Sequence, residues 1–225
     1  MPSYSGVFTL QAQMQAKAAN NWTPIVPTVI GQAFGGGFYA GQIGVSSVAT
    51  HYLVVGPIAS AQAGTTLQWK NVNTATAGAD SVIDGPQNTA DIVADGNATV
   101  YPAAHFCNDL VIGGFSDWYM PAQNELEVCY FNLKPTTTAN YTSSGINPNA
   151  VPARASNYTS GNPAQTSVAA FITSTGAEAF AADTYWSSTE VSASDSMGQY
   201  FPKGGQYGNA KTSLGRVRAI RRVAV

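Results

Sequence analysis

Two hydrophobic periodicities compete over residues 1–34. Phe8, Leu10, Ala12, Met14 and Ala16 alternate with Gln11, Gln13, Gln15 and Lys17, which is the period of a half-buried strand. Val7, Leu10, Met14 and Ala18 also share one helical face, and the Ala, Gln, Met and Leu content favours a helix, ended by Pro24 and Pro27. Such a segment is too short to bury its own apolar face. It is expected to attach or oligomerise by docking on a neighbouring subunit or another protein.

From Gly35 the pattern turns to strand. Phe38–Ile43 and His51–Val55 read as two strands, the second stopped by Gly56-Pro57. A helix is predicted over Ala98–Val111, with Tyr101, Ala104, Phe106, Cys107, Leu110 and Val111 as its apolar positions and Gly113-Gly114 beyond its end. A second helix is predicted over Ala122–Leu133. Pro121 stands at its start, Glu125 and Glu127 lie in its first turns, and Leu126, Cys129, Tyr130 and Leu133 form its core stripe. Residues 135–167 are rich in Ser, Thr, Asn, Pro and Gly and read as a long surface loop, with Asn-Tyr-Thr-Ser at 140–143 and again at 157–160. Three short strands close the chain: Tyr185–Ser188, Gln199–Phe201 and Arg216–Ile220, with Gly204-Gly205 turning between the last two. The expected class is α+β.

Composition narrows the functional classes. Only 10% of the 225 residues are charged and the net charge is -2, so neither nucleic acid nor membrane insertion is expected. Soluble domains usually carry ~25% charged residues, so the polar surface here is Ser, Thr, Asn, Gln and Gly, tolerable where partner subunits cover it. No stretch approaches the ~20 apolar residues of a membrane span. Met1–Gly6 lacks a basic start followed by an apolar core, so no export signal is expected, and a particle released by lysis is the expected route out of a cell. Cys107 and Cys129 make neither a disulfide framework nor a CxxC pair. His51 and His105 have no ligand-spaced neighbour, and the acidic residues are too scattered to supply the 6–8 oxygens that calcium takes, so no metal and no cofactor are expected. No GxSxG occurs, and no GK[ST] follows Gly35–Gly37.

Three patterns concentrate the specific signal: GGFSDWYMPAQNELE (113–127), YWSSTE (185–190) and VRAIRRV (217–223). Trp118 is placed to wedge between the two helices as a core anchor, and Asp117 to accept backbone N–H bonds at the preceding turn. Tyr185 and Trp186 point to opposite faces of a strand, and Ser187, Ser188 and Thr189 can satisfy the backbone where it ends. Glu190 is expected to be a buried partner of Arg216 or Arg218.

In this order the three patterns resemble the C-type-lectin-like domain found at the ends of bacterial collagen-like adhesins and in many bacteriophage tail or virion proteins. The resemblance covers roughly residues 35–225, and GVFTLQAQMQAKAANNW looks like the leader of phage structural proteins carrying this domain. It implies a virion protein (tail fibre, tail tip or head decoration) that recognises a host cell-surface glycan or protein without catalysis. Such a protein would bind other virion proteins through residues 1–34 and form a homo-oligomer, with a trimer expected. The alternatives are a structural virion subunit without a ligand, a bacterial surface adhesin on the cell surface, and a cysteine-dependent oxidase resembling formylglycine-generating enzymes, which share this fold. The Glu-Pro-Asn loop and Trp-Asn-Asp strand of calcium-dependent lectins do not occur, so their calcium chemistry does not carry over.

The same fold serves the variable proteins of diversity-generating retroelements. By that resemblance, residues 191–215 would be the recognition region. Their Ser, Gly, Tyr and Asn content is the alphabet of recognition loops. The ligand-binding candidates are Val191, Asp195, Ser196, Gly198, Lys203, Tyr207, Gly208, Asn209 and Ala210, with Tyr207 foremost.

Overall fold

A computed structural model describes residues 26–225. The expected helix over Val7–Ala18 lies outside the described residues. The elements run β1 (Ala33–Phe34), β2 (Gly37–Val45), β3 (Val48–Val55), α1 (Ile58–Ala61), β4 (Leu67–Gln68), α2 (Gly85–Asp95), α3 (Pro102–Asn108), α4 (Gln123–Leu133), β5 (Thr184–Glu190), β6 (Asp195–Tyr200), β7 (Gly205–Ala210), β8 (Leu214–Gly215) and β9 (Ile220–Ala224).

Three antiparallel sheets organise these elements: β1-β2-β3-β9, β5-β6-β7 and the pair β4-β8. Because β9 pairs with β3, from His51↔Ala224 to Val55↔Ile220, the last strand closes onto the first hairpin. The alternation of side chains along strands then divides the interior in two. Leu53 and Val55 join Ile43, Leu126, Cys129, Leu133 and Tyr185 in one core, whereas Val54 joins Trp69, Ile92, Cys107, Trp118, Trp186 and Val217 in the other. Tyr185 and Trp186 thus face opposite cores, as their adjacency on a strand predicts. Among the described residues no helix is long and apolar enough to cross a membrane.

Several expectations need correction. The helix read over Ala98–Val111 is confined to Pro102–Asn108, and the helix preceding it, α2, was missed. Its signals were present: the Asp84 carboxylate accepts from the Gln87 amide at 3.3 Å, and Pro86 occupies the first turn. The strand read over Arg216–Ile220 is a crossing between layers; Ala219 donates to Ala61 and the Val217 carbonyl accepts from Ala63 before pairing with β3 begins at Ile220. Trp118 does not wedge between the predicted helices. It packs in the core of α2 and α3, whereas the apolar residues of α4 line the other core.

Residues 135–167, expected to be superficial, are stitched to α4. The Tyr130 hydroxyl donates to the Asn140 side chain at 2.6 Å, the Lys134 ammonium donates to the Thr138 carbonyl at 2.6 Å, and the Tyr158 hydroxyl donates to the buried Glu127. The tetrapeptide repeat has two fates. Tyr158 is buried among Tyr130 and Phe131, while Tyr141 stands exposed.

Candidate functional site

The β6–β7 hairpin carries most of the candidate residues. Its strands pair from Asp195↔Ala210 to Tyr200↔Gly205. Lys203 and Gly204 donate to the Tyr200 carbonyl and close the turn, where Gly204 has φ +73° and a Cβ would lie 2.3 Å from the Tyr130 ring. The hairpin is anchored from beneath: the Gln206 amide donates to Ser144 Oγ at 3.0 Å, and its side chain donates to the Gln123 carbonyl at 3.3 Å.

This framework sorts the predicted contacts. Ser196 and Gly198, the ladder partners of Asn209 and Tyr207, are buried between neighbouring side chains. Ser196 is fully buried and its hydroxyl donates to the Thr189 carbonyl at 2.9 Å, while a Cβ at Gly198 would lie 2.7 Å from the side chains of both Asn209 and Thr184. Val191 is exposed and Asp195 half-buried, its carboxylate accepting from the Ser192 and Ser194 hydroxyls, which hold it below the usual carboxylate range. Tyr207, opposite Gly198, stands about 10 Å along the strand from Asp195, and Lys203 lies beyond it in the turn. Gly208 is exposed between Asp195 and Tyr207, with Asn209 and Ala210 half-buried. The Asn209 side chain donates through Nδ2 to the Tyr207 carbonyl at 3.1 Å.

At the Tyr207 end the fold adds two residues that sequence reasoning missed. Tyr141 packs nearly parallel to Tyr200, with centroids 6.3 Å apart and planes 26° apart, and its amide donates to the Lys203 carbonyl at 2.8 Å. A Cβ on Gly205 would approach Tyr141 at 2.9 Å and Tyr207 at 3.1 Å, so the bare glycine lets both rings close over the strand. Tyr141 is 43% and Tyr207 41% exposed. The Lys203 ammonium sits 5.2 Å from the Tyr141 ring centroid, inside cation–π range. The result is an aromatic platform whose hydroxyls and single cation can hydrogen-bond a bound surface. The repeated Asn-Tyr-Thr-Ser was the visible signal, but nothing local distinguishes its exposed copy from its buried one.

The partners of three charged motif residues differ from expectation. Glu190 pairs with Lys211 at 2.7 Å, not with Arg216 or Arg218. Arg218 pairs with Glu178 at 2.6 Å and Arg216 with Asp183 at 3.2 Å. Asp117 takes both of its 2.7 Å bonds from the Arg221 guanidinium, which holds its carboxyl below the usual range. Ser187 and Thr189 do satisfy backbone groups: the Ser187 hydroxyl donates to the Met197 carbonyl, and the Thr189 hydroxyl donates to the Ser81 carbonyl and accepts from the Gln123 amide, whereas the Ser188 hydroxyl accepts from the Asn88 side chain.

Cys107 and Cys129 are free, fully buried and in different cores, and burial pushes both thiols well above the usual range, away from the nucleophilic thiolate. The His105 ring meets the Gly96 carbonyl at 2.7 Å. Among the described residues no three His, Cys, Asp or Glu side chains converge as a metal site. His51 and Arg222 line a cleft of about 400 Å³ together with Thr89, Asp117 and Tyr119.

Under that cleft Glu125 is fully buried, accepting from the Tyr119 hydroxyl at 2.7 Å and the Ala122 amide at 2.9 Å. Burial raises its carboxyl to about 7 against those stabilising bonds. Between the ordinary glutamate value and about 7 the folded chain holds this proton more tightly than the unfolded chain. Stability should therefore fall as pH rises through that window. Buried Glu127, also raised, acts in the same direction. Denaturant midpoints taken across the window should fall less steeply in Glu125→Gln than in the parent, and an unchanged slope would refute this assignment.

No curated protein matches the chain. The family model for the Lcl C-terminal domain matches residues 61–221, a span that runs from α1 into β9 and includes α2, α3, α4, the aromatic platform and the hairpin. The α+β architecture is that of a C-type-lectin-like fold, and the chain belongs to the Lcl C-terminal domain family, a lectin-like family.

Proposed function

We propose that this chain is a bacteriophage virion protein, in a tail fibre, tail tip or head decoration, that displays a lectin-like domain for recognising a host cell surface. The observation that carries the reading is the gathering of Tyr141, Tyr200 and Tyr207 around Gly205 on a pinned hairpin. Rigid tyrosines offer large amphipathic contact area at small entropic cost, and a low-charge surface suits a neutral glycan or a protein patch. Repetition of a weak site on a homo-oligomer, attached through residues 1–34, would supply avidity. Within 191–215, the accessible candidates Val191, Asp195, Lys203, Tyr207, Gly208, Asn209 and Ala210 are the positions available for diversification. A near-duplicate coding template beside a reverse transcriptase gene, differing mainly at adenines, is the observation that tests that point.

The test of recognition is binding of the purified chain to cells of candidate hosts and to a glycan panel. Tyr207→Ala and Tyr141→Ala should each weaken binding by about tenfold, as truncation of an aromatic anchor commonly does, with thermal midpoints unchanged. Chelators should have no effect. Parent-level binding by both variants would overturn the reading. A second reading, a structural virion subunit, is favoured by the exposure of Val72, Val191 and Leu214; there, removing these side chains would impair particle assembly and the tyrosine variants would not.

A further inference from the structure

Two ammonium groups are buried beneath the end of the hairpin that carries Val191 and Asp195. Lys211 follows β7 directly, and its side chain is fully buried. Its Nζ lies 2.7 Å from Glu190 Oε2, 2.8 Å from the Thr74 carbonyl and 2.9 Å from the Ala193 carbonyl. Lys70 Nζ donates to the Ala75 carbonyl at 2.9 Å, to Thr76 Oγ1 at 3.2 Å and to the same Thr74 carbonyl at 3.3 Å. The carboxylate that meets Lys211 also accepts from the Thr76 amide at 2.8 Å. Rings complete the enclosure, with Trp69 5.0 Å from the Lys211 ammonium and Tyr101 4.8 Å from that of Lys70.

The acceptors around Lys211 Nζ are one carboxylate and two backbone carbonyls, from two segments distant in sequence, Thr74 and Glu190–Ala193. That is the type of oxygen set that holds a hard cation. Here the charge is covalently attached to the chain. A tethered ammonium makes up to three directed bonds, and in this dry setting each is charge-assisted. Removing it would leave the Ala193 carbonyl without this donor, and Glu190 and the Thr74 carbonyl with only the Thr76 amide and Lys70 as their donors.

We propose that Lys211 is a positioning residue whose ammonium serves as a built-in cation, locking the 72–76 loop, the end of β5 and the 191–194 turn to the base of the hairpin so that this end keeps its shape without a metal ion. The consequence for binding rests on the recognition role proposed above, whereas the lock itself is measurable without any ligand.

Peptide-resolved amide exchange tests it on the full chain. In Lys211→Met, which keeps side-chain bulk and loses the charge, protection over 71–76, 190–195 and 208–214 should fall at least tenfold, with β2, β3 and α4 unchanged. Lys211→Ala should regain protection and thermal midpoint in n-propylammonium chloride but not in equal sodium chloride, because the added cation fills the vacated position. Unchanged exchange in the three segments, an equal loss throughout the chain, or equal effects of the two salts would each overturn the proposal. The parent protein provides a test independent of variant folding. Nitrogen NMR should detect slowly exchanging ammonium protons on Lys211 at neutral pH, at least tenfold slower than those of Lys203; equal rates would refute the lock. Loosened loops with undiminished host-cell binding would uphold the lock and remove the 191 end from the recognition surface.

Discussion

Replacing Arg218 with methionine should lower the thermal midpoint by about 10 °C, taking a buried-pair loss of about 3–5 kcal/mol and roughly 2–4 °C per kcal/mol for a chain of this size. The guanidinium is essentially inaccessible and donates to the Gly56 carbonyl at 2.9 Å, the Glu178 carbonyl at 2.8 Å and the Glu178 carboxylate at 2.6 Å. It also lies over the Phe180 and Phe171 rings, 4.8 and 5.5 Å from their centroids. Burial draws its pKa down only to about 10, so it stays protonated near neutrality. Methionine keeps part of the apolar stem and none of the donors, leaving Glu178 with the Ile58 amide as its remaining partner. Adding Glu178→Gln should recover part of the loss, because it removes the uncompensated carboxylate. Calorimetry on both variants checks this, and a double variant no more stable than Arg218→Met would show that packing over the rings dominates.

Truncating Trp186 to alanine should cost about 3–5 kcal/mol, the usual range for emptying a core of a large aromatic. The indole is 2% exposed, its N–H donates to the Leu67 carbonyl at 2.9 Å, and Gly215 lies so close to its face that a Cβ there would approach Nε1 at 2.7 Å. Trp186 thus packs against both strands of the β4–β8 pair. Its loss should open that pair and the 71–76 loop to protease well before β2–β3 unfold. Trp186→Phe keeps most of the volume and loses the donor, and should cost about 1–2 kcal/mol. Denaturant unfolding separates the two, and equal costs would mean that the hydrogen bond, not the cavity, carries the effect.

The sequence reading and the structure part at specific residues. β2, β3 and α4 were legible because β-branched and aromatic runs, or an apolar stripe behind an initiating proline, express themselves within a dozen residues. The opposed fates of Tyr185 and Trp186 followed from strand geometry alone. β7 was missed because Gly205, Gly208 and Asn209 carry almost no strand propensity; its ladder to β6 makes it a strand. The platform was half legible. Tyr207 announced itself in a loop-like stretch, whereas Tyr141 lies 66 positions away and reaches it only through the turn at Lys203.

By itself, the sequence determined the family through three ordered motifs, the α+β class, the buried inert cysteines and the low charge that points away from nucleic acid. Only the tertiary structure decided which ions pair, which copy of the repeated tyrosine faces solvent, and that Ser196 and Gly198 are buried. Periodicity and capping are short-range properties written into neighbouring residues. Partner choice and exposure depend on which distant segments the folded backbone brings within a few ångströms, and residue types alone do not specify that.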